Sequence, residues 1–492
     1  MQDGGVGGNG PELPERLPAW VWPTGAALFV LAVYLPVLFF EYGFSEDYRL
    51  MAAARRGSGL SQLMLAEGRP FFAAWAWVVF GMADTIPLLG VVRLVNVAFL
   101  ACVAVLTATV WQRAGLTRLE AAVAGAAMVT LPPFQLFAAT AAMGAVLPAT
   151  AAAIVAALLV DDEAAATGGA RPIRLAAASL LAFAALATYQ PAGLFFWVTA
   201  AVLLIAALPP ADAFRRKVTL FVVSGAPAML GAFAIYVFGR SAFPAELIEI
   251  GAPRGTLAFD PAGKAIWFLT LPLPHALNLW RLWPNLALAM VMLILLCAGI
   301  ALHVRRSAGA VWRAVLAFVL VPLCYLPNLV VSEDRSSFRS QPALAAIVFA
   351  YCVIVLFSQF VGGRRWIART LLAAGLVAGG ITAGRNVVAY FAAPQARELA
   401  LVRQTVNALP PEARLVGVVP SDYRDSLAPM VMYDEFGYPS TALPWSVYTL
   451  TWLAMRERMA GDTAAFHVTD ARDAAVVPDA VIDWGQVLRD GR

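Results

Sequence analysis

The amino-acid sequence predicts an all-α protein that crosses a membrane many times and carries a small α/β domain at its C-terminal end. Of its 492 residues, 61% are hydrophobic and only 13% are charged, whereas soluble domains carry about 25% charged residues. The apolar residues also gather in long runs, and about 20 such residues span a bilayer as one helix. No water-soluble fold of this size can hide so much apolar surface.

Composition divides the chain into three regions. Residues 1–19 are polar and rich in glycine and proline, and we expect them to form a disordered cytoplasmic tail. Residues 20–392 form the predicted membrane domain, with a first span at 20–40 and a first external loop at 41–90. Residues 393–492 are more polar and predict the small α/β domain outside the membrane.

The apolar runs place the remaining spans, of which we predict about eleven in all, together with one or two helices lying in the membrane interface. After the first span they lie near 91–111, 119–138, 144–160, 175–190, 193–208, 218–238, 284–302, 314–331, 342–358 and 370–390. In the C-terminal domain, periodicity predicts helices at 396–409 and 444–459 and strands at 414–419 and 480–488.

Segment 71–89 decides the orientation of the whole chain. It is apolar, but Asp84 and Pro87 interrupt it and Pro70 precedes it. If it lies in the interface, five short basic loops all face the cytoplasm, as the positive-inside rule requires. These loops are 112–118, 161–174, 209–217, 303–313 and 361–369. We therefore predict an interfacial helix here, and an external position for the loops 41–90, 239–283 and 332–341 and for the C-terminal domain.

Several classes of site are excluded by the sequence. It contains no P-loop, no GxSxG nucleophile elbow, no metalloprotease motif and no Rossmann fingerprint. All four cysteines lie inside apolar runs, so neither a disulfide framework nor a thiolate metal site is expected. The net charge of +4 is spread out, without a basic block that would bind nucleic acid. Scattered carboxylates leave a divalent metal open as a cofactor, with no dedicated ligand set.

Charged residues first gather in the string SEDYR at 45–49. A carboxylate at a membrane surface can act as a general base on a hydroxyl, or can hold a divalent cation. Asp47 is our first choice for a catalytic carboxylate, with its neighbour Glu46 as the alternative, and Arg49 is a candidate substrate-binding residue. The competing interpretation is that these residues only solvate the loop.

A second cluster follows at 333–339. Arg335 and Arg339 are four residues apart, so they share one helical face if the next span begins early. Two guanidinium groups suit a phosphate, although they can equally anchor a helix to lipid headgroups. Polar side chains at outer helix ends can read sugar hydroxyls or merely satisfy the backbone, and these are Gln135, Tyr189 and Gln190.

Taken together, these strings resemble a known class of enzymes. The SEDYR loop is followed by the turn Gly68-Arg69-Pro70, by ATYQP at 187–191 and by the arginine-bearing loop at 333–339. The chain resembles the GT-C class of polytopic glycosyltransferases and is most similar to bacterial glucosyltransferases that decorate O-antigen and related surface polysaccharides. The related loop usually carries two aspartates, where this chain has Glu46 and Asp47.

The resemblance implies an inverting sugar transfer at the outer face of the bacterial cytoplasmic membrane. The donor would be a polyprenyl-phosphate sugar, and the acceptor a glycan or a lipid-linked saccharide. The acid of the first loop would deprotonate the acceptor hydroxyl. Arginines would neutralise the leaving phosphate, and these are Arg335, Arg339 and Arg69. Further substrate contacts would come from Arg49, Tyr189, Gln190 and Gln135.

Two other functions stay open on the sequence alone. The chain could be a transporter or lipid flippase, or a non-enzymatic assembly factor that docks through its C-terminal domain. A transporter would carry charges near the middle of several spans, or broken helices in two similar halves. Here the charges crowd one face and the halves differ, which favours an enzyme.

Overall fold

The structure is a computed structural model of the chain. It describes residues 18–56, 60–166, 171–243, 257, 260–305, 307, 309–459, 466–472 and 477–492. The expected cytoplasmic tail at 1–19 therefore lies almost entirely outside the described residues, as does the middle of the expected external loop 239–283.

Helices dominate the described chain. In chain order they are α1 (Val21–Tyr34), α2 (Glu46–Arg56), α3 (Leu60–Ala66), α4 (Pro70–Met82), α5 (Leu89–Arg113), α6 (Arg118–Met128), α7 (Pro132–Ala139), α8 (Val146–Ala165), α9 (Pro172–Thr188), α10 (Gln190–Gly193), α11 (Phe195–Ala201), α12 (Ala211–Ala242), α13 (Pro261–Thr270), α14 (Pro272–Leu277), α15 (Leu286–Val304), α16 (Ala310–Leu323), α17 (Leu326–Leu329), α18 (Pro342–Gln359), α19 (Arg365–Val387), α20 (Ala393–Asn407), α21 (Pro444–Arg458) and α22 (Trp484–Asp490).

The apolar runs of the sequence are helical over most of their length, and their outward faces are apolar. Helix α5, for example, exposes Val91, Leu94 and Val95, and α15 exposes Met290 and Val291. Soluble proteins rarely expose continuous apolar surface of this kind. The outward faces therefore fit a lipid environment.

Within the described residues, seven helices are long and apolar enough to cross a membrane, or eight if the bent pair α6 and α7 is one span. The shorter apolar helices are Pro70–Met82, Pro172–Thr188, Gln190–Ala206 and Ala310–Leu323. A total of about eleven spans requires three of these to cross as well, so that number stays a prediction.

The ambiguous segment 71–89 is not one continuous helix. Helix α4 ends at Met82, before Asp84 and Pro87, and Asp84 forms an ion pair with Arg55 of α2. At 1.5 Å per residue, the 13 residues of α4 extend about 20 Å, less than the hydrocarbon core of about 30 Å. This is consistent with the expected interfacial helix.

The loops expected on the cytoplasmic side meet at one end of the bundle. Residues from three of them line a single cavity of about 580 Å³. They include Gly115, Arg305 and Val361, and Leu208, which directly precedes a fourth loop, lines it as well. The expected external segments meet one another elsewhere, around α2 and the loop before α18, where the candidate site lies.

The C-terminal domain contains a parallel three-stranded sheet in the order β2-β1-β3. The strands are β1 (Leu415–Val419), β2 (His467–Asp470) and β3 (Ala480–Asp483). Strand β2 was not predicted, because HVTD is short and half polar. The closing strand expected at 480–488 is shorter than predicted: the Asp483 side chain accepts a hydrogen bond from the N–H of Gln486 and caps α22 there.

A continuous helical segment joins the membrane part to this domain. Helices α19 and α20 are linked by a π-helical turn at Val388–Ala392, and the boundary expected between residues 392 and 393 falls where this turn passes into α20. The rings of Phe44 and Phe391 lie 5.2 Å apart, and those of Phe391 and Phe436 lie 4.8 Å apart. The first loop, the long helix and the C-terminal segment therefore share one core.

Candidate active site

Asp47 lies inside the protein and ties the first external loop to a neighbouring turn. Its carboxylate accepts hydrogen bonds from the backbone N–H groups of Phe44 at 2.9 Å and Ala142 at 2.6 Å, and a longer one from Ala141 at 3.4 Å. Burial raises the pKa of Asp47 to about 6, although these N–H groups oppose the rise. Because the residue is fully buried, a substrate cannot reach it in this structure. Its position is that of a residue that holds the loop, which counts against our first choice of catalytic carboxylate.

Glu46 is the accessible member of the acidic pair. Its side chain is 34% exposed and forms an ion pair with Arg339, whose own side chain is 11% exposed. Successive residues of a helix project about 100° apart, so Glu46 can face outward while Asp47 faces the core. The alternative carboxylate of the sequence prediction is thus the one placed to meet a substrate.

Arg339 also binds a second carboxylate, from the C-terminal domain. Its Nε lies 2.5 Å from Oε1 of Glu435, and its Nη2 donates a 2.8 Å hydrogen bond to Oε2 of the same residue. Burial alone would lower the pKa of Arg339, but Glu435 and Glu46 outweigh this effect and raise it. The guanidinium is therefore a permanent cation held between two carboxylates.

Both carboxylates that hold Arg339 follow a residue in a left-handed backbone conformation. Ser45 has φ 41° and precedes Glu46, and Asp434 has φ 62° and precedes Glu435. Such a conformation costs a non-glycine residue about 1 kcal/mol or more and persists only where the surroundings impose it. Here the Ser45 N–H donates a 3.0 Å hydrogen bond to the hydroxyl of Ser440. Asp434 accepts a 2.8 Å hydrogen bond from the N–H of Phe338.

Arg69 lies next to the same cluster. Its guanidinium carbon is 5.0 Å from the centre of the Tyr189 ring, and its Nε donates a 3.1 Å hydrogen bond to Oε1 of Gln190. Arg69 also forms a 2.8 Å ion pair with Glu67. The Tyr189 hydroxyl donates to the carbonyl of Arg339 at 3.0 Å. Four residues singled out in the sequence therefore meet through direct contacts, while their substrate roles stay predictions.

The other expected site residues lie differently. Arg335 is exposed in a non-helical stretch, because the short 3-10 turn begins at Phe338 and α18 only at Pro342. The expectation that Arg335 and Arg339 share one helical face is therefore wrong. Both arginines nevertheless act on the buried carboxyl of Asp434, whose pKa burial raises and the two cations lower.

Arg49 is half-buried on α2, one turn after Glu46. In the described part of the chain its guanidinium has no hydrogen-bond or ion-pair partner. A cation in that position is available to a substrate anion, so the predicted role of Arg49 stays open as a proposal.

Gln135 does not belong to the site. It is fully buried, donates a 2.7 Å hydrogen bond to the carbonyl of Thr130 and accepts a 3.0 Å hydrogen bond from Nδ2 of Asn386. The bond to Asn386 joins α7 to α19, and the bond to Thr130 stays within the turn before α7. Because both ends of the amide are occupied away from any surface, this position does not favour the expected substrate contact of Gln135.

Sequence reasoning missed the C-terminal contribution to the site. Asp434 and Glu435 form an acidic pair within the otherwise apolar and aromatic string MVMYDEFGYP at 430–439. That context was the available signal, since an acidic pair among aromatic residues must be held by specific partners. His275, which was not among the predicted site residues, lies beside this string. It is buried, its ring centre lies 4.0 Å from that of Tyr433, and burial lowers its pKa to about 4.

An apolar cavity of about 520 Å³ lies between helices α13 to α18 and reaches Lys264. The Lys264 ammonium donates hydrogen bonds to the carbonyl of Glu333 at 2.8 Å and to Oδ1 of Asp334 at 2.6 Å. The cavity is thereby connected to the loop that ends at Arg339. Almost all of the side chains that line it are apolar, and they include Phe268 and Leu296.

The site is poor in grouped metal ligands. Among the described residues, no group of three or more histidine, cysteine, aspartate or glutamate side chains is placed to hold a metal ion. The carboxylates nearest the centre of the site, Glu46 and Glu435, are bonded to a guanidinium instead.

Comparison with known proteins shows a likeness in structure and none in sequence. No protein-family model matches the chain, and no curated protein matches it in sequence. Among solved structures it is similar to the oligosaccharyltransferase of Archaeoglobus fulgidus, crystallised in complex with Zn and sulfate, with 10% sequence identity and a TM-score of 0.46. The match covers 91% of this chain and 62% of that one. A likeness at this level transfers no residue role, ligand or activity.

Proposed function

We propose that the protein is an inverting GT-C-type glycosyltransferase that moves a sugar from a polyprenyl-phosphate donor to a glycan or lipid-linked acceptor. The observation that carries this proposal is the ion pair between Glu46 and Arg339 in a partly buried site beside Arg69. The reaction needs a carboxylate that accepts a proton and cations that bind a phosphate. Both kinds of group meet here.

In the proposed reaction, Glu46 takes the proton from the acceptor hydroxyl. The hydroxyl oxygen attacks the anomeric carbon of the donor from the face opposite the phosphate, so the configuration inverts. The bond between that carbon and the phosphate oxygen breaks, and polyprenyl phosphate leaves with the bonding electrons. Arg339 and Arg69 stabilise the charge that develops on the phosphate, the kind of electrostatic effect that usually contributes most to catalysis.

Exposure favours Glu46 over Asp47 as the base. The Glu46 side chain is 34% exposed, whereas Asp47 is fully buried and occupied by three backbone N–H groups. A general base must come within hydrogen-bond reach of the proton that it removes. Glu46 meets that condition without a change in the fold.

The apolar cavity supports a lipid-linked donor. A prenyl chain is a flexible hydrocarbon, and a cavity of about 520 Å³ lined by apolar side chains is suited to shelter part of one. The contact between Lys264 and Asp334 joins the cavity to the arginine-bearing loop. A donor with its tail in the cavity and its phosphate near this loop fits the arrangement.

The proposal is tested by sugar transfer in membranes. Wild-type protein and the Glu46→Gln variant are supplied with a panel of polyprenyl-phosphate hexoses radiolabelled in the sugar, and label in saccharide product is counted. We expect Glu46→Gln to lose about 10²- to 10⁴-fold in rate, the usual contribution of a general base. The matched control is Glu457→Gln, because Glu457 also pairs with an arginine, Arg403, and is similarly exposed. Full activity of Glu46→Gln would refute the base assignment.

We further propose that the site faces the outside of the bacterial cytoplasmic membrane. This orientation rests on the distribution of arginines among the short loops. Single cysteines placed at Ser307 and Ser337 are labelled in whole cells with a membrane-impermeant maleimide, with the protein lacking an introduced cysteine as background. We expect Ser337→Cys to react and Ser307→Cys to react only after lysis. The reverse pattern would invert the topology.

A further inference from the structure

The carboxylate of Glu435 lies against the edge of the Arg339 guanidinium that could also bind a phosphate. The Nε and Nη2 of Arg339 form one edge that presents two parallel N–H donors, the geometry that recognises carboxylates and phosphates alike. Glu435 covers this edge with both of its oxygens: Oε2 accepts a 2.8 Å hydrogen bond from Nη2, and Oε1 lies 2.5 Å from Nε without an aligned hydrogen bond. Glu46 contacts the other terminal nitrogen, Nη1. A phosphate therefore cannot take the two-donor edge while Glu435 holds it.

We propose that Glu435 occupies the donor-phosphate position on Arg339 and is displaced when the donor binds. The inference rests on the proposed function, since it takes the donor to be a lipid phosphodiester. Glu435 is then a positioning residue: it keeps Arg339 oriented before the donor arrives and sets how tightly the phosphate binds.

Charge balance supports exchange rather than simple addition. With both carboxylates ionised, Glu46, Arg339 and Glu435 sum to one negative charge. A phosphodiester added beside them would place a further negative charge in a partly buried site, where unpaired charge is costly. If the phosphate replaces Glu435 on the guanidinium, the number of charges bound to Arg339 stays the same.

The displaced carboxyl can be neutralised by a proton. Burial raises the pKa of Glu435, Arg339 opposes that rise, and Asp434 and Glu46 add to it. Loss of the Arg339 contact removes the main opposing influence, so protonation accompanies displacement. The charged and titratable groups that face Glu435 are Arg339, Asp434, Glu46 and Tyr189, with Arg335 acting on Asp434 from outside.

The backbone around Glu435 suits a side chain that can leave its partner. The residue lies in a tight turn closed by a 2.8 Å hydrogen bond from the N–H of Met432 to the carbonyl of Phe436. The turn is anchored separately, by Asp434 on the N–H of Phe338. Rotation of the Glu435 side chain can thus free Arg339 while the turn stays attached to the loop before α18.

The experiment measures binding of a probe with constant charge. Farnesyl methyl phosphate is a phosphodiester and keeps one negative charge between about pH 5 and about pH 9, so its own ionisation does not contribute. Its Kd is measured on the full-length protein in detergent across this range, for wild type, Glu435→Gln and Glu457→Gln. The last is the matched control, because both oxygens of Glu457 likewise contact the Nε and Nη2 edge of an arginine, Arg403. Thermal unfolding checks that each variant is folded.

We expect the wild-type Kd to weaken by about tenfold or more as the pH rises, because ionised Glu435 competes with the probe. Glu435→Gln should bind about tenfold more tightly than wild type at the alkaline end and show little pH dependence, while Glu457→Gln follows wild type. If Glu435→Gln fails to fold, the pH dependence of the wild-type Kd still tests the inference.

Three results would overturn the inference, and they differ in what they leave standing. If Glu435→Gln binds more weakly than wild type at every pH, Glu435 only orients Arg339, and the lipid-phosphate donor is retained. If the variant and wild type share the same affinity and slope, Glu435 does not compete, and the donor is again retained. If no protein binds the probe at any pH, the donor class of the proposed function fails together with this inference.

Discussion

The backbone N–H of Ser45 donates a 3.0 Å hydrogen bond to Oγ of Ser440, a residue 395 positions later in the chain. The Ser440 hydroxyl in turn donates to Oε1 of Gln395 at 2.7 Å, so the C-terminal domain holds the residue that precedes Glu46. The first loop and the C-terminal domain are thus joined by a buried hydrogen bond at the base of the site.

Ser440→Ala should destabilise the protein and reduce its activity. The substitution leaves the buried N–H of Ser45 unpaired, which costs about 1–3 kcal/mol, and it loosens the turn that presents Glu46. Thermal unfolding and sugar transfer are measured together. Ser446→Ala is the matched control, since its buried hydroxyl has no partner among the described residues. Equal losses in both variants would show that the hydrogen bond to Ser45 is unimportant.

Asp47→Asn should behave unlike Glu46→Gln, although the two residues are neighbours. An amide has one acceptor oxygen, and because Phe44 and Ala142 donate to different oxygens of Asp47, the NH₂ group faces one of these two N–H groups. We therefore expect a loss of about 1–3 kcal/mol in stability. Activity should fall only in proportion to the folded fraction. Glu46→Gln should instead keep the melting temperature of the wild-type protein and lose most of the rate of sugar transfer. A fully stable Asp47→Asn protein without activity would return Asp47 to the role of base.

Gln135→Met should cost stability and leave substrate affinity unchanged. It removes the partners of Asn386 Nδ2 and the Thr130 carbonyl inside the helix bundle, at about 1–3 kcal/mol. Adding Asn386→Leu should recover part of that loss, because replacing both members of a hydrogen-bonded pair can be nearly neutral. The measurements are thermal unfolding and the KM for donor. An increase in KM at unchanged stability would contradict the structural role.

His275 should make the protein sensitive to acid. Its pKa is lowered to about 4 by burial, while a histidine in an unfolded chain has a pKa of about 6.5. As the pH falls from about 6.5 toward about 4, the unfolded chain takes up a proton that the folded protein refuses. Stability is therefore full above this window and is lost within it, by up to about 3 kcal/mol.

His275→Phe keeps a ring against Tyr433 and should remove this part of the acid sensitivity. The pH dependence of thermal unfolding is compared between the variant and wild type. His467→Gln is the control, because His467 is exposed on β2 and should leave the wild-type profile unchanged. Identical profiles for wild type and His275→Phe would exclude His275 as the source.

Helix positions were predictable where an apolar run is long and uninterrupted, as in α5 and α15, whereas breaks within a run, such as the bend between α6 and α7, were not predicted. The strand at Leu415–Val419 was predictable for a similar reason, since it is a compact apolar segment between polar ones. The end of β3 was not, because it depends on the cap that Asp483 provides.

The members of the site were partly predictable, and their connections were not. Glu46, Arg69 and Arg339 were found because charges beside apolar runs are conspicuous. The choice between Glu46 and Asp47 depends on the rotation of α2 about its axis, which an adjacent pair of acids does not reveal. Glu435 was missed because acidic residues are ordinary in a polar domain, and its partner lies 96 residues away in sequence.

The helical segment Gly362–Asn407 is 46 residues long, and it links the thickness of the bilayer to the site. Its C-terminal part carries Glu398, which accepts hydrogen bonds from the backbone N–H groups of Ser440 and Thr441 at 3.0 and 2.8 Å. A span tilts to match the hydrocarbon layer that surrounds it, and tilt at one end of a continuous helix displaces the other. Lipids of different chain length would thus shift the segment that presents Glu435, so the composition of the membrane would change the geometry of the candidate site.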